Sequence, residues 1–132
     1  MYNKYIVIIT AENKEKYIAN TIFSCLKNYN KKNLRILITY TNLKNEKIIK
    51  NKFKNYKNII FVKSLLKKNN PIHDQLEKIK RTIKFIKNEW VLLLDGDDLF
   101  ISNKIKILDN LNLNRKNIYL HNHEIKFGKN KK

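Results

Sequence analysis

The chain has 132 residues, 42% of them hydrophobic and 30% charged, and a formal net charge of +18 at pH 7. This length allows one domain with a single hydrophobic core, and the hydrophobic content excludes a disordered chain. We expect one domain over residues 1–127, followed by a short basic tail at residues 128–132.

Strands and helices alternate along the chain. β-branched apolar runs predict buried strands, and apolar residues at every third or fourth position predict helices. In chain order these are a strand at Tyr5–Thr10, a helix at Lys14–Asn28, a strand at Leu34–Tyr40, a helix at Glu46–Phe53, a strand at Ile59–Val62, a helix from Pro71 to near Lys87, a strand at Trp90–Leu94, a helix from Ser102 or Asn103 to Leu111, and a strand at Ile118–Phe127. This alternation predicts an α/β fold, a mostly parallel sheet with helices on both faces.

The helix from Pro71 has the clearest start signal. Asn70 is a good capping residue, and proline is tolerated at the first helical position. Leu76, Ile79, Ile83 and Ile86, with Phe85 beside them, are expected to form its buried stripe. Because this helix runs against the strands, its N-terminus should lie at their carboxyl ends and offer partial positive charge to a phosphate.

An acidic cluster follows the fourth predicted strand. Asp95, Gly96, Asp97 and Asp98 come directly after the apolar run at Trp90–Leu94. Three carboxylates so close together repel one another unless a cation lies between them, and hard oxygen ligands suit Mg²⁺ or Mn²⁺ together with substrate phosphates. A simple acidic turn is the alternative. An EF-hand loop is excluded because Phe100 and Lys106 stand where glycine and glutamate are required.

Three stretches in order resemble the nucleotide-binding half of family 2 glycosyltransferases, which have the glycosyltransferase A fold, a nucleotide-diphospho-sugar transferase fold. IVIITAENKEKYI at 6–18 is similar to the family's first strand and turn, and LRILITYTN at 34–42 to its second. EWVLLLDGDD at 89–98 is similar to the strand that carries its metal-binding DxD motif. The resemblance covers nearly all of the chain.

The resemblance implies a nucleotide-diphosphate sugar, with a UDP-sugar as the expected donor, and Mn²⁺ or Mg²⁺ as cofactor. Transfer to a hydroxyl of a glycan or lipid-linked acceptor, with inversion, would follow. Carried over to this sequence, Asp95, Asp97 and Asp98 would hold the metal. The nucleotide would lie along Thr10, Ala11, Glu12, Tyr40, Asp95 and Gly96.

Three departures from the family's pattern affect the function. The first turn has Thr10-Ala11-Glu12 where the family usually has Pro-Thr-Tyr, which affects recognition of the base. Tyr40 and Thr41 replace the two aspartates that usually follow the second strand, so a carboxylate that grips the nucleoside is missing. The sequence also stops at Lys132, before the region that supplies the acceptor site and general base in this family, which leaves Glu124 as a weak candidate for the base. A truncated or inactive sugar-nucleotide binder therefore stays open as an alternative.

The net positive charge suggests a different class of function, a basic module that binds nucleic acid or an anionic surface. Arginine, which clamps phosphates and reads guanine edges, occurs only at Arg35, Arg81 and Arg115, so nucleic acid is not expected. Cys25 is the only cysteine, and no apolar stretch approaches the roughly 18 residues that span a bilayer. We expect a cytoplasmic protein; peripheral contact with the inner membrane face and oligomer formation stay open.

Overall fold

The computed structural model describes residues 3–28, 33–64, 69–114 and 116. Strands β1 to β4 alternate with helices α1 to α4. In chain order they are β1 (Tyr5–Thr10), α1 (Ile18–Leu26), β2 (Leu34–Tyr40), α2 (Glu46–Lys52), β3 (Ile59–Lys63), α3 (Pro71–Thr82) followed by a 3₁₀ turn (Ile83–Phe85), β4 (Trp90–Asp95) and α4 (Lys104–Asp109). The predicted α/β class is confirmed.

The four strands form one parallel sheet in the order β3-β2-β1-β4. β1 is central, and its first five residues are all buried, as expected for a strand covered on both faces. Its last residue, Thr10, pairs in register with Thr39 of β2 and with Asp95 of β4. The carboxyl ends of these three strands therefore lie side by side at one edge of the sheet.

Helices cover both faces of this sheet. Side chains alternate between the faces along a strand. Val7 and Ile9 of β1 belong to the hydrophobic core together with Ile22 of α1. Ile8 points to the opposite face, where it lines a cavity together with Ile79 of α3. α3 packs on β1 and β2, so the central strand is enclosed from both sides.

The helices end within a few residues of the predicted spans, and the largest differences are in α1 and α3. α1 begins at Ile18 rather than Lys14, because the amides of Tyr17 and Ile18 both bond to the Lys14 carbonyl and close a tight turn first. α3 ends at Thr82 and passes through the 3₁₀ turn instead of continuing to Lys87. The strands match the predicted spans within one residue.

The predicted buried stripe of α3 is wrong at Leu76 and Ile83, which are 58% and 61% exposed. The residues that α3 buries are Asp74, Lys78 and Thr82, spaced four apart on one face. Polar partners on the sheet side explain this orientation. The Thr39 hydroxyl donates to the Lys78 carbonyl at 3.2 Å, and Lys78 forms an ion pair with Asp74. Satisfied polar groups here replace the apolar contacts that periodicity alone predicts.

Several predictions lie outside the described residues. They are the last strand at Ile118–Phe127, with the candidate base Glu124, and the basic tail at residues 128–132. Cys25 is buried with a free thiol, as predicted, and burial raises its pKa to about 12. None of the helices in the described ranges has the length and apolar character needed to cross a membrane.

Candidate functional site

The ends of β1 and β4 are joined by side-chain hydrogen bonds. Thr10 Oγ1 donates to Asp95 Oδ1 at 3.0 Å, and Gln75 Nε2 of α3 donates to the same oxygen at 3.1 Å. The parallel register places Thr10 and Asp95 opposite each other, while the first turn of α3 brings Gln75 over them. The Asp95 carboxylate is therefore held in a fixed orientation at the sheet edge.

Gly96 lets the acidic turn lie directly against the first turn of the chain. Its amide donates to the Thr10 carbonyl at 2.8 Å, and its carbonyl accepts from Thr21 Oγ1 at 2.9 Å. A Cβ at this position would lie 2.9 Å from the Thr10 carbonyl oxygen and 3.0 Å from both Ala11 Cα and Lys14 Cγ. Glycine is required here because of this close approach, not because of its backbone angles.

Asp97 contacts a lysine from the first turn. Lys14 Nζ lies 2.8 Å from Asp97 Oδ2, and both side chains are partly exposed. The hydrogen bond to Asp97 raises the pKa of Lys14, with smaller contributions from the negative charges of Asp97 and Asp95, although partial burial opposes them. The ammonium group therefore stays positively charged beside two of the three carboxylates that the sequence assigned to a metal.

The donor atoms at this edge suit a hard divalent cation. Asp95, Asp97 and Asp98 offer carboxylate oxygens, and Mg²⁺ commonly takes one or two of these together with water and substrate phosphates. Across the residues that the structure describes, no three Asp, Glu, His or Cys side chains converge as a group that could hold an ion. The arrangement fits an ion shared between one or two carboxylates and a bound diphosphate. Metal binding stays a prediction.

Glu12 bridges the turns that follow β1 and β2. Its Oε2 accepts from the amides of Thr41 at 2.9 Å and Asn42 at 3.2 Å, and its Oε1 accepts from Asn42 Nδ2 at 3.0 Å. Burial acts to raise the pKa of Glu12, but these hydrogen bonds and the nearby Lys78 charge outweigh it and lower the pKa. A carboxylate therefore does lie at the second turn, where the sequence has none of its own.

A buried ion pair forms the floor of the same region. Lys78 of α3 is only 2% exposed, forms a short hydrogen-bonded pair with Asp74, and lies 3.5 Å from Glu12 Oε2. A buried lysine needs such partners because burial without them would favour loss of its proton. One positive charge thus connects α3 to the turn after β1.

The N-terminus of α3 differs from the expected phosphate site. Asn70 Oδ1 accepts from the amides of Ile72 at 2.9 Å and His73 at 3.2 Å, and Pro71 has no amide proton. Asp74 adds a negative charge in the first turn. Because Asn70 already accepts from these amides, this helix start is a poor partner for a phosphate.

These groups surround an open cavity of about 480 Å³, a size typical of small-molecule sites. The residues that line it are Thr10, Glu12, Lys14, Asn69, Pro71, Asp74, Gln75, Lys78 and Asp95. Of the residues predicted to contact the nucleotide, Thr10, Glu12 and Asp95 line this cavity. Ala11, Tyr40 and Gly96 do not, since all three are buried. The Tyr40 hydroxyl donates to Glu46 at 2.7 Å.

Lys14, Gln75 and Lys78 are among the residues of the cavity wall that sequence reasoning missed. The spacing of Asp74 and Lys78, four apart on a helix, was a visible signal of an ion pair. No local pattern marks Gln75 or Lys14, whose partners Asp95 and Asp97 lie 20 and 83 residues away in the sequence. These contacts exist only once β1 and β4 are paired.

The parallel sheet with helices on both faces is an α/β fold similar to that of solved glycosyltransferases. No protein-family model matches the sequence, and no curated protein is significantly similar to it. In solved structures the fold is similar to that of S. aureus TarS, a family 2 glycosyltransferase. TarS 1-349 aligns at 22% identity and a TM-score of 0.64, over 80% of this chain and 31% of that chain. Its complex with UDP-GlcNAc aligns at 22% identity and a TM-score of 0.65, over 80% and 30%.

The complex of TarS 1-349 with UDP aligns equally well, with a TM-score of 0.64 at 22% identity, over 80% of this chain and 30% of that chain. The fold resemblance predicted from the sequence motifs is thus confirmed. The chain spans less than a third of the length of these TarS structures.

Proposed function

We propose that this protein binds a nucleotide-diphosphate sugar in the cleft at the carboxyl edge of its sheet, as the donor-binding domain of a glycosyltransferase. The observation that carries the proposal is the junction of Thr10 and Asp95 beside the 480 Å³ cavity. In parallel α/β sheets, ligands bind beyond the carboxyl ends of the strands. TarS, which has a similar fold, has been solved with UDP-GlcNAc and UDP, so we propose a UDP-sugar as the donor.

The polar groups of the cavity wall divide into two sets. Asp95, oriented by two donors, would accept hydrogen bonds from ribose hydroxyls, and Glu12 would border the nucleoside from the other side. Lys14 and Lys78 place positive charge on the same wall. Lys78 is buried and paired with Asp74 and Glu12, so the partly exposed Lys14 ammonium is the group that would attract an anionic diphosphate.

We also propose that Asp97 and Asp95 hold a divalent ion when the nucleotide binds, with Asp98 supporting them. Such an ion, Mn²⁺ or Mg²⁺, would act as a Lewis acid on the leaving diphosphate. The proposed reaction is transfer of the sugar, with inversion, to a hydroxyl of a glycan or a lipid-linked acceptor. Glu124, the candidate base, belongs to the part of the chain that is not described.

A binder that does not itself transfer the sugar is the second candidate. After Asp98, the carboxylate within the described ranges is Asp109, and it accepts a 2.6 Å hydrogen bond from the Tyr5 hydroxyl. Asp109 is thus engaged near the start of β1, at the opposite end of the strand from Thr10. This observation favours a domain that binds the donor without supplying the general base from its described residues.

Calorimetric titration with UDP, with and without Mn²⁺, tests the proposal. We expect binding that is stronger with Mn²⁺, and we expect Asp97→Asn to remove the metal-dependent part. Glu77→Gln, a charge-matched change on α3 outside the cavity lining, should leave binding unchanged. Absence of UDP binding under all conditions would refute the function. Release of UDP from UDP-GlcNAc in the presence of acceptor glycans would separate a transferase from a binder.

A further inference from the structure

A lysine from the turn after β1 contacts Asp97 of the acidic turn. Lys14 Nζ lies 2.8 Å from Asp97 Oδ2, and the two side chains are 34% and 39% exposed. Ion pairs with this much exposure contribute little to stability. The pair therefore has more effect on the charge of the cleft than on the stability of the fold.

The backbone holds Lys14 in this position. Asn13 has a positive φ of 53°, and its amide donates to the Asn42 carbonyl at 3.1 Å. The Lys14 carbonyl accepts from the amide of Ile18, the first residue of α1, at 2.9 Å. Its aliphatic stem passes Gly96, where even a methyl group would meet Lys14 Cγ at 3.0 Å. The direction of this side chain is thus determined by both turns.

The Lys14 ammonium and a divalent ion cannot both bind Asp97 Oδ2 at contact distance. An ion placed close to the ammonium group would also be repelled by its positive charge. Asp95, whose negative charge also acts on Lys14, lines the same cavity as the lysine. Binding of an ion at Asp97 Oδ2 therefore requires the Lys14 ammonium to move away from this oxygen.

We propose that Lys14 is a built-in counter-ion of Asp97 that competes with the divalent ion, so that the protein binds the metal weakly until a nucleotide diphosphate arrives. The displaced ammonium is tethered at the cavity wall, where a diphosphate oxygen gives it a new partner. This last step rests on the proposed function. By thermodynamic linkage, metal and nucleotide then strengthen each other's binding.

The test measures binding of Mn²⁺ alone, by electron paramagnetic resonance of the free ion, at fixed pH and low ionic strength. Lys14→Met should bind Mn²⁺ about tenfold more tightly than the wild type, which is within the usual range of coupling between two sites. Lys16→Met removes the same charge from the exposed Lys16 of the same turn and should change affinity less than about twofold. Lys14→Arg should stay close to the wild type because it keeps the positive charge.

Further variants make the result decisive. Lys14→Gln provides a second neutral side chain if Lys14→Met fails to fold, as judged by circular dichroism and thermal unfolding. Adding Asp97→Asn to Lys14→Met should abolish the gain in Mn²⁺ affinity. Addition of UDP should raise the Mn²⁺ affinity of Lys14→Met less than it raises the Mn²⁺ affinity of the wild type.

Two results would overturn the competition. One is equal Mn²⁺ affinity in Lys14→Met and Lys16→Met; the other is a gain in affinity that survives Asp97→Asn. Failure of the proposed function would look different, as no variant would bind UDP. The measurement with Mn²⁺ alone would still decide whether Lys14 competes for Asp97.

Discussion

The amide of Gly96 donates a 2.8 Å hydrogen bond to the carbonyl of Thr10, which fastens the acidic turn after β4 to the end of β1. The same contact brings Asp97 over Lys14, and it leaves Asp95 opposite the Thr10 hydroxyl. The relative positions of the cleft's charged groups are thus determined by a main-chain contact between neighbouring strand ends. Changes at this contact should affect both stability and binding.

Gly96→Ala should destabilise the protein by about 1–3 kcal/mol, the usual range for overpacking. The added methyl group would lie 2.9 Å from the Thr10 carbonyl oxygen and 3.0 Å from Ala11 Cα, and these backbone atoms leave it little room. Urea denaturation measures the effect. Asn20→Ala, at an exposed position of α1, is the control and should change the free energy of unfolding by less than about 0.5 kcal/mol. Equal losses of unfolding free energy in the two variants would contradict the close approach of Gly96 to Thr10.

Thr10→Val should weaken UDP binding several-fold while the fold stays intact. The substitution keeps the shape but removes the hydroxyl that donates to Asp95 at 3.0 Å, a bond of about 0.5–1.5 kcal/mol in net terms. Thr10→Ser keeps the hydroxyl and should bind UDP like the wild type. Calorimetry on the three proteins decides the matter. Similar affinity in the valine and wild-type proteins would show that the orientation of Asp95 is unimportant.

Lys78→Met should destabilise the protein by about 3–5 kcal/mol, since it removes one partner of a buried ion pair. Asp74 and Glu12 would both lose the Lys78 ammonium. Lys80→Met removes the same charge from an exposed position on α3 and should have little effect in urea denaturation. The double variant Lys78→Met with Asp74→Leu should recover part of the loss. No recovery would show that Asp74 is not the main partner of Lys78.

Sequence patterns were sufficient to predict the strands of the sheet but not the side chains that form the cleft wall. β1 and β2 are buried, continuous apolar runs, so they could be located from composition alone. β4 is also a continuous apolar run, although its Val91 and Leu93 are 41% and 53% exposed. The orientation of α3 could not, because its apolar residues Leu76 and Ile83 suggest one face while pairing of Lys78 with Asp74 and Glu12 selects another.

The other side chains of the site are positioned by contacts that do not show in the sequence. The second turn lacks its own aspartates, and Glu12 of the first turn supplies a carboxylate there by accepting from the Thr41 and Asn42 amides. Tyr40, predicted to contact the nucleotide, instead donates its hydroxyl to Glu46 in a separate cluster. Neither arrangement leaves a periodic trace in the sequence.

Acid should remove the stabilisation that Glu46 provides. Hydrogen bonds from Lys63, Tyr40 and Lys50 lower the pKa of Glu46 from 4.5 to about 2. Ionised Glu46 therefore adds stability that is complete above pH 4.5 and is lost as the pH falls towards 2. Urea denaturation of wild type and Glu46→Gln should give a difference in unfolding free energy that narrows over this range. A difference in unfolding free energy that does not change with pH would contradict the lowered pKa of Glu46.

The central claim is that a nucleotide diphosphate occupies the cleft at the carboxyl edge of the sheet. Titration of UDP and Mg²⁺, which is diamagnetic, into ¹⁵N-labelled protein, followed by amide chemical shifts, tests it most directly. The account predicts saturable shifts concentrated at residues 10–14, 41–42, 74–78 and 95–98, with the amides of Tyr5, Arg35 and Glu89 at the opposite edge unchanged. Shifts that are absent, or that are spread over the lysine-rich surface and vanish with added salt, would contradict it.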